Sequence, residues 1–194
     1  MQQNNKIIGI TGITGSGTST VSKMILTQNK AEIIEADKLA HKITNEKAQE
    51  IAAVFGNNIL TENQEINRQA LGQIVFGNKS EMEKLEKIIH PPVIAEVKRL
   101  INKDGIIIID APLLIESGLY KICQSIWLIT SSNENRINRL MFRNGLNEEE
   151  ALIRINSRQS DSYLSNFATA IIENNHTLKS LQEKVHQALR KEFK

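Results

Sequence analysis

Eight consecutive residues, Gly12-Ile13-Thr14-Gly15-Ser16-Gly17-Thr18-Ser19, combine three glycines with several hydroxyl side chains. Glycine lets successive backbone N–H groups turn inward around an anion. A helix that opens near Thr18 aims the positive end of its dipole at the same point. The chemistry is phosphate binding, with Gly12, Gly15, Ser16, Gly17, Thr18 and Thr20 as nucleotide contacts and the Ser19 hydroxyl as a ligand for Mg²⁺. The spacing is that of a phosphate loop, Gly-x₄-Gly-Lys-Ser/Thr, with one departure: Thr18 stands where lysine belongs. Taken alone, the segment also reads as a glycine-rich turn that binds nothing. Lys23, five residues on, lies about 140° around the helix and points away. The remaining candidate cations are Lys38, Arg139 and Arg143.

Two acids follow short apolar runs. Asp37 comes after Ile33-Ile34, at the carboxyl edge where open α/β sheets build their sites. A hydroxyl that attacks a phosphoryl group needs a carboxylate at its proton, and Asp37 is the candidate base; the competing reading is a helix cap. Asp110 closes Ile106–Ile109 and is placed to hold a metal-bound water or to orient an acceptor. Its competing reading is a turn acid before Pro112. Arg139 and Arg143 are four residues apart and share a helix face. Paired guanidiniums suit phosphate oxygens, although a solvated basic face has the same spacing.

These groups need a frame. Lys6–Thr11, the residues around Ile33-Ile34, Gly105–Asp110, Ser125–Thr130 and Ala168–Glu173 read as five strands. Four successive isoleucines mark a strand buried on both faces. Helical spacing covers Thr18–Gln28, Leu39–Phe55 with a break near Thr44-Asn45, Arg68–Phe76, Ser80–Asn102, Asn133–Arg143, Asn147–Arg158 and Leu178–Phe193. Ser80 with Glu83 forms a capping-box pattern, and Pro91-Pro92 predicts a kink or break. Strands alternate with helices except between about 39 and 104. The pattern predicts an α/β fold with a parallel sheet and a helical insertion between its second and third strands. Phe55, Phe76, Phe142 and Trp127 are expected in the core, and His186 on the surface.

Composition narrows the class. The chain has 194 residues, 40% hydrophobic and 24% charged, with a net charge of +2. That balance fits a globular domain and gives no reason to expect nucleic acid or membrane as partner. Cys123 is the single cysteine, so neither an intrachain disulfide nor a cysteine-cluster metal site is possible. The longest aliphatic run, Ile106–Ile109, is far too short to span a bilayer. The N-terminal stretch is broken by Gly9 and Gly12 and lacks the core of a signal peptide. A reduced cytoplasmic compartment is the expectation.

In order along the chain, further short motifs give a resemblance. After the loop come Glu35-Ala36-Asp37 with Ala40-His41, Phe55-Gly56, Ile66-Asn67-Arg68, Val75-Phe76, Leu85-Glu86 and His90-Pro91. Then follow Asp110-Ala111-Pro112-Leu113-Leu114-Ile115-Glu116, Arg139-Leu140 with Arg143, Glu149-Glu150-Ala151, Arg154-Ile155, Gln159, and Ala168 with Ile171-Ile172-Glu173-Asn174. The chain resembles the dephospho-coenzyme A kinases, a family within the nucleoside-monophosphate-kinase-like phosphate-loop group. It departs from the family pattern at Thr18, at Glu35 (usually Asp), at Thr169 (usually Asp) and at His176 (usually Gly).

The resemblance implies a single domain over 1–194: a three-layer core with a five-stranded parallel sheet (1–38, 105–132, 160–194), a helical substrate lobe (about 39–104) and a helical lid (about 133–159). It implies ATP and Mg²⁺ as cofactors and phosphorylation of the 3′-hydroxyl of dephospho-coenzyme A. Asp37 and Arg143 would be catalytic and Arg139 a nucleotide contact. Asn174 and His176 would border the adenine, and Arg68, His90 and Asp110 would serve the acceptor. Two other readings stand beside this one: a nucleotide- or coenzyme A-binding protein with little turnover, which Thr18 favours, and a phosphate-loop kinase with a different acceptor.

Overall fold

The computed structural model describes residues 5–28, 31–102, 104–157 and 159–192. They fall into two compact units: Glu35–Asn102, and the residues up to Ile34 together with those after Asn102.

The discontinuous unit is built on the sheet. Strands β1 (Asn5–Thr11), β2 (Ala31–Glu35), β3 (Gly105–Asp110), β4 (Ser125–Thr130) and β5 (Ala170–Glu173) lie in the order β2-β3-β1-β4-β5. β1 pairs in parallel with β3 and β4, with Ile10 opposite Asp110, and β4 pairs in parallel with β5. β1 is therefore central, and the loop that leaves its carboxyl end emerges between β3 and β4.

On one face, Ile8, Ile10, Ile108, Trp127, Ile129 and Ile172 pack against Val21 and Ile25 of α1 (Thr18–Gln28) and Leu181, Val185 and Leu189 of α9 (Leu178–Glu192). Alternation sends Gly9 to the other face. There the 111–123 segment lies so close that a Cβ on Gly9 would sit 2.7 Å from Leu114 Cδ2 and 2.8 Å from Cys123 Sγ. A short helix α8 (Asp161–Ser165) packs on β4, and Phe167 just after it meets Tyr120 edge-on at 5.3 Å. The result is a three-layer α/β fold of the kind the sequence predicts. Helices α6 (Asn133–Asn144) and α7 (Glu148–Asn156) form a hairpin around Gly145, whose φ of +67° suits glycine.

The continuous unit contains α2 (Ala36–Glu46), α3 (Ala48–Phe55), α4 (Arg68–Val75) and α5 (Lys79–Leu100). Ala48, Ile51, Ala52, Ile59, Ile66, Leu71 and Val75 form its core, with Leu85, Ile88 and Ile89 packed against them. An isolated bridge joins Leu60 to Ile66. No helix among the described residues is long and apolar enough to cross a membrane.

Several local expectations are corrected. The helix expected from Leu39 opens at Ala36, and it pauses at Lys47 rather than at Thr44-Asn45. Thr44 stays helical, its hydroxyl donating to the Ala40 carbonyl, and Asn45 accepts from the Ile66 N–H. Asn78, not Ser80, caps α5 by accepting from the Glu81 N–H. Pro91 and Pro92 do not end α5, which runs unbroken with Ile88 and Ile89 packed before them and Val93 and Val97 buried after them. That apolar anchoring on both sides outweighs the two missing backbone donors.

Asn147 caps α7 with a complete capping box through Glu150. The last strand starts at Ala170, because Thr169 is occupied through its hydroxyl and N–H with Ile126. Trp127 is fully buried, but Phe55 is only half-buried, and Phe76 and Phe142 are 76% and 95% exposed. His186 is half-buried. The expected helix ends at Arg158 and Phe193 lie outside the described residues.

Candidate active site

The loop from Gly12 to Gly17 joins the central strand to α1. Ser16 N–H donates to the Ile13 carbonyl at 3.0 Å, and the Gly17 carbonyl accepts from Thr20 and Val21 to open the helix. Gly15 and Gly17 have φ of +87° and +99°, a region L-side chains rarely enter. A Cβ on Gly12 would meet the Ile129 carbonyl and lie 2.6 Å from Ser16 Oγ, and one on Gly17 would collide with the Asn174 amide. Ser16 is 1% exposed, and its Oγ has no partner among the described residues. A loop packed too closely for side chains at Gly12 and Gly17, with an orphaned Ser16 hydroxyl within it, fits phosphate binding. Thr18 and Thr20 are half-buried on the first turn of α1, and Ser19 between them is exposed. An exposed hydroxyl suits Mg²⁺, which keeps most of its waters and takes few protein oxygens.

Asp110 is 8% exposed at the end of β3. Its carboxylate accepts from Ser22 Oγ at 3.0 Å, so α1 helps hold it. Arg139 reaches the loop from α6. Its Nη1 donates to the carbonyls of Gly15 and Ser16 at 3.0 and 3.2 Å and to Ser131 Oγ at 3.2 Å, and its Nη2 donates to the Asn174 carbonyl at 2.8 Å. Burial and the neighbouring Arg136 lower its pKa from the ordinary arginine value. Asn174 is buried and donates its Nδ2 to the Ser16 carbonyl at 2.8 Å. Ser131, Ser132 and Asn135 converge on Asn175. The ends of β4 and β5 and the start of α6 are thereby stitched to the loop.

The structure thus brings together Gly12, Gly15, Ser16, Gly17, Arg139 and Asn174, with Asp110 tied to α1. Arg143 stands apart, exposed, with its Nε on Asn144 Oδ1. His176 is exposed in the turn after β5. Within the continuous unit, Asp37 is the exposed second residue of α2, where Glu35 is the N-cap residue without a side-chain cap. Lys38 pairs with Glu35 at 2.7 Å. Arg68 is exposed at the start of α4, and His90 is half-buried inside α5. Burial pushes the Cys123 thiol up to about 12, which removes it as a nucleophile at neutral pH.

Two participants were not visible in the sequence. Ser22 lies one turn beyond the loop pattern. Arg136, 3% exposed, forms an ion pair with Asp161 and donates to Asn133 Oδ1 at 3.3 Å. Its backbone lies about where a Gly15 side chain would go, the carbonyl 3.0 Å from that position. The only signal was its place one helical turn before Arg139.

The sequence model of the dephospho-CoA kinase family matches residues 6–180. The chain belongs to the dephospho-CoA kinase family. With that family it is a phosphotransferase. It is 43% identical over 185 residues to the dephospho-CoA kinase of Fusobacterium nucleatum subsp. nucleatum, covering 93% of this chain and 95% of the relative. To the dephospho-CoA kinase of Dehalococcoides mccartyi it is 38% identical over 194 residues, covering 96% and 97%. Among solved structures, TT1252 from Thermus thermophilus superposes with a TM-score of 0.87 at 28% identity, covering 99% and 100% of the two chains. The dephospho-CoA kinase from Campylobacter jejuni gives 0.62 at 25%, covering 97% of each.

Proposed function

We propose that the chain transfers the γ-phosphoryl group of ATP to the 3′-hydroxyl of dephospho-coenzyme A, giving coenzyme A and ADP in the cytoplasm. Beyond family membership, the observation that supports this most is the close-packed glycine loop, with no room for a side chain at Gly12 or Gly17 and with the orphaned Ser16 hydroxyl within it. In this reading the loop N–H groups and the α1 dipole hold the nucleotide phosphates. Ser19 supplies one oxygen to Mg²⁺, and bound magnesium spreads the negative charge of the β- and γ-phosphates.

Asp37 accepts the proton of the 3′-hydroxyl as the new O–P bond forms and the bond to the β-phosphate oxygen breaks. Arg143 offsets charge on the migrating group. Asp110, steadied by Ser22, orients the acceptor with Arg68 and His90, and Asn174 and His176 border the adenine. The test is a steady-state assay of ADP release with dephospho-coenzyme A, comparing wild type with Asp37→Asn. The expected result is robust wild-type turnover, a kcat lower by about 10²–10⁴-fold in the variant, and little change in ATP binding. A variant above half of wild-type turnover removes Asp37 from the mechanism.

Thr18 favours a second reading, nucleotide binding with little turnover. The same assay separates the two, because that reading predicts tight ATP binding with negligible wild-type ADP release.

A further inference from the structure

We infer that Arg139 is a positioning residue for the phosphate loop, holding the Gly15 and Ser16 carbonyls and standing as the fixed cation of a loop that has threonine at the lysine position. The inference rests on the proposal that this loop binds ATP. On the loop itself, Arg139 grips two main-chain carbonyls, those of Gly15 and Ser16. The peptide unit is planar and trans, so a carbonyl and the N–H on its other end point in opposite directions. Fixing the Ser16 carbonyl, with Arg139 Nη1 at 3.2 Å and Asn174 Nδ2 at 2.8 Å, sets the Gly17 N–H on the opposite side of that peptide, away from both donors. Gly17 is also the residue whose left-handed φ and lack of space exclude any side chain. Arg139 Nη1 lies 3.9 Å from where a Gly17 Cβ would be.

The grip spans three segments, namely the loop, Ser131 after β4 and Asn174 after β5. A planar two-pronged guanidinium reaches them together, whereas a lysine ammonium does not. Its positive charge on these carbonyls also polarises the two peptides in the sense that favours an anion at their N–H ends. The other arginine of the pair does not share this task, since Arg143 is exposed and bonded to Asn144.

The test measures ATP and ADP affinity by calorimetry without acceptor, so it stands even if dephospho-coenzyme A proves to be the wrong substrate. Wild type, Arg139→Gln, Arg139→Lys, Thr18→Lys and the double variant Thr18→Lys/Arg139→Gln are compared, with thermal unfolding to establish that each is folded. A loop-positioning role predicts that Arg139→Gln weakens ATP and ADP by the same factor, about 10- to 100-fold. In turnover the loss falls mainly on KM for ATP, a split that mere loss of folded protein would not give. Thr18→Lys is expected to recover part of the loss in the Arg139→Gln background.

Should Arg139→Gln not fold, Arg139→Lys carries the test, with a several-fold weakening of both nucleotides expected. Loss confined to ATP would make Arg139 a direct γ-phosphate ligand and overturn the inference. So would wild-type affinity in a folded Arg139→Gln or Arg139→Lys variant, or a Thr18→Lys effect that is the same in both backgrounds.

Discussion

Ser19 and Thr18 are neighbours on the first turn of α1 with different work to do. Ser19 is exposed, and the proposed reading gives its hydroxyl to magnesium, while Thr18 brings a hydroxyl without charge to a lysine position. Ser19→Ala is therefore expected to weaken binding of magnesium-loaded ATP several-fold while leaving metal-free ATP nearly unaffected, a contrast that titrations with and without EDTA would read. Equal losses in both would remove Ser19 from the metal. At this scale the sequence was informative wherever backbone conformation demands a residue type. Gly15 and Gly17 announced the loop because few other residues adopt that path, and Gly12 because a side chain there would meet the Ile129 carbonyl. It was silent on partnerships. Nothing in the spacing of Arg139 and Arg143 says that one guanidinium turns onto loop carbonyls and the other to solvent, because the choice depends on where β4 and β5 end.

At the level of elements, the carboxyl end of α9 returns to the start of β4. Glu192 accepts from Lys6 at 2.8 Å, Ser125 Oγ at 2.6 Å and Trp127 Nε1 at 2.9 Å. A carboxylate in the last turn of a helix opposes the dipole, so these partners carry its stabilisation. Burial alone would raise its pKa, but the bonds from Lys6, Ser125 and Trp127 outweigh that and hold it below the ordinary 4.5. A lowered folded pKa means stability that is full above the unfolded value and lost as pH falls through the folded one. Glu192→Gln should cost roughly 1.5–3 kcal/mol at neutral pH, and the gap from wild type should shrink as pH drops below 4.5. Urea unfolding at a series of pH values checks this; a gap constant with pH would show that the charge is irrelevant.

Strand and helix order was legible because the isoleucine runs and the 3.6-residue periods are local signals. The failures came where tertiary packing overrides local rules. Apolar residues on both sides carry α5 through Pro91-Pro92, and Phe76 and Phe142 point outward although composition would bury them.

Across the whole molecule, the chain divides its work between a sheet-based unit holding the phosphate loop and a helical unit, Glu35–Asn102, carrying Asp37, Arg68 and His90. The insertion was visible in the sequence as a long stretch without strand signals, but no spacing there names a ligand for Arg68 or His90, since single polar residues on helices carry no such pattern. The central claim is that phosphoryl transfer ends on one particular oxygen. The most direct measurement is ³¹P NMR of the product formed from ATP and dephospho-coenzyme A, with the position of the new phosphomonoester fixed by its coupling to the ribose protons. The account predicts a single new monoester on the 3′ oxygen, formed in step with ADP and absent with Asp37→Asn. ADP accumulating with inorganic phosphate and unchanged dephospho-coenzyme A, or a monoester at another oxygen, would contradict it.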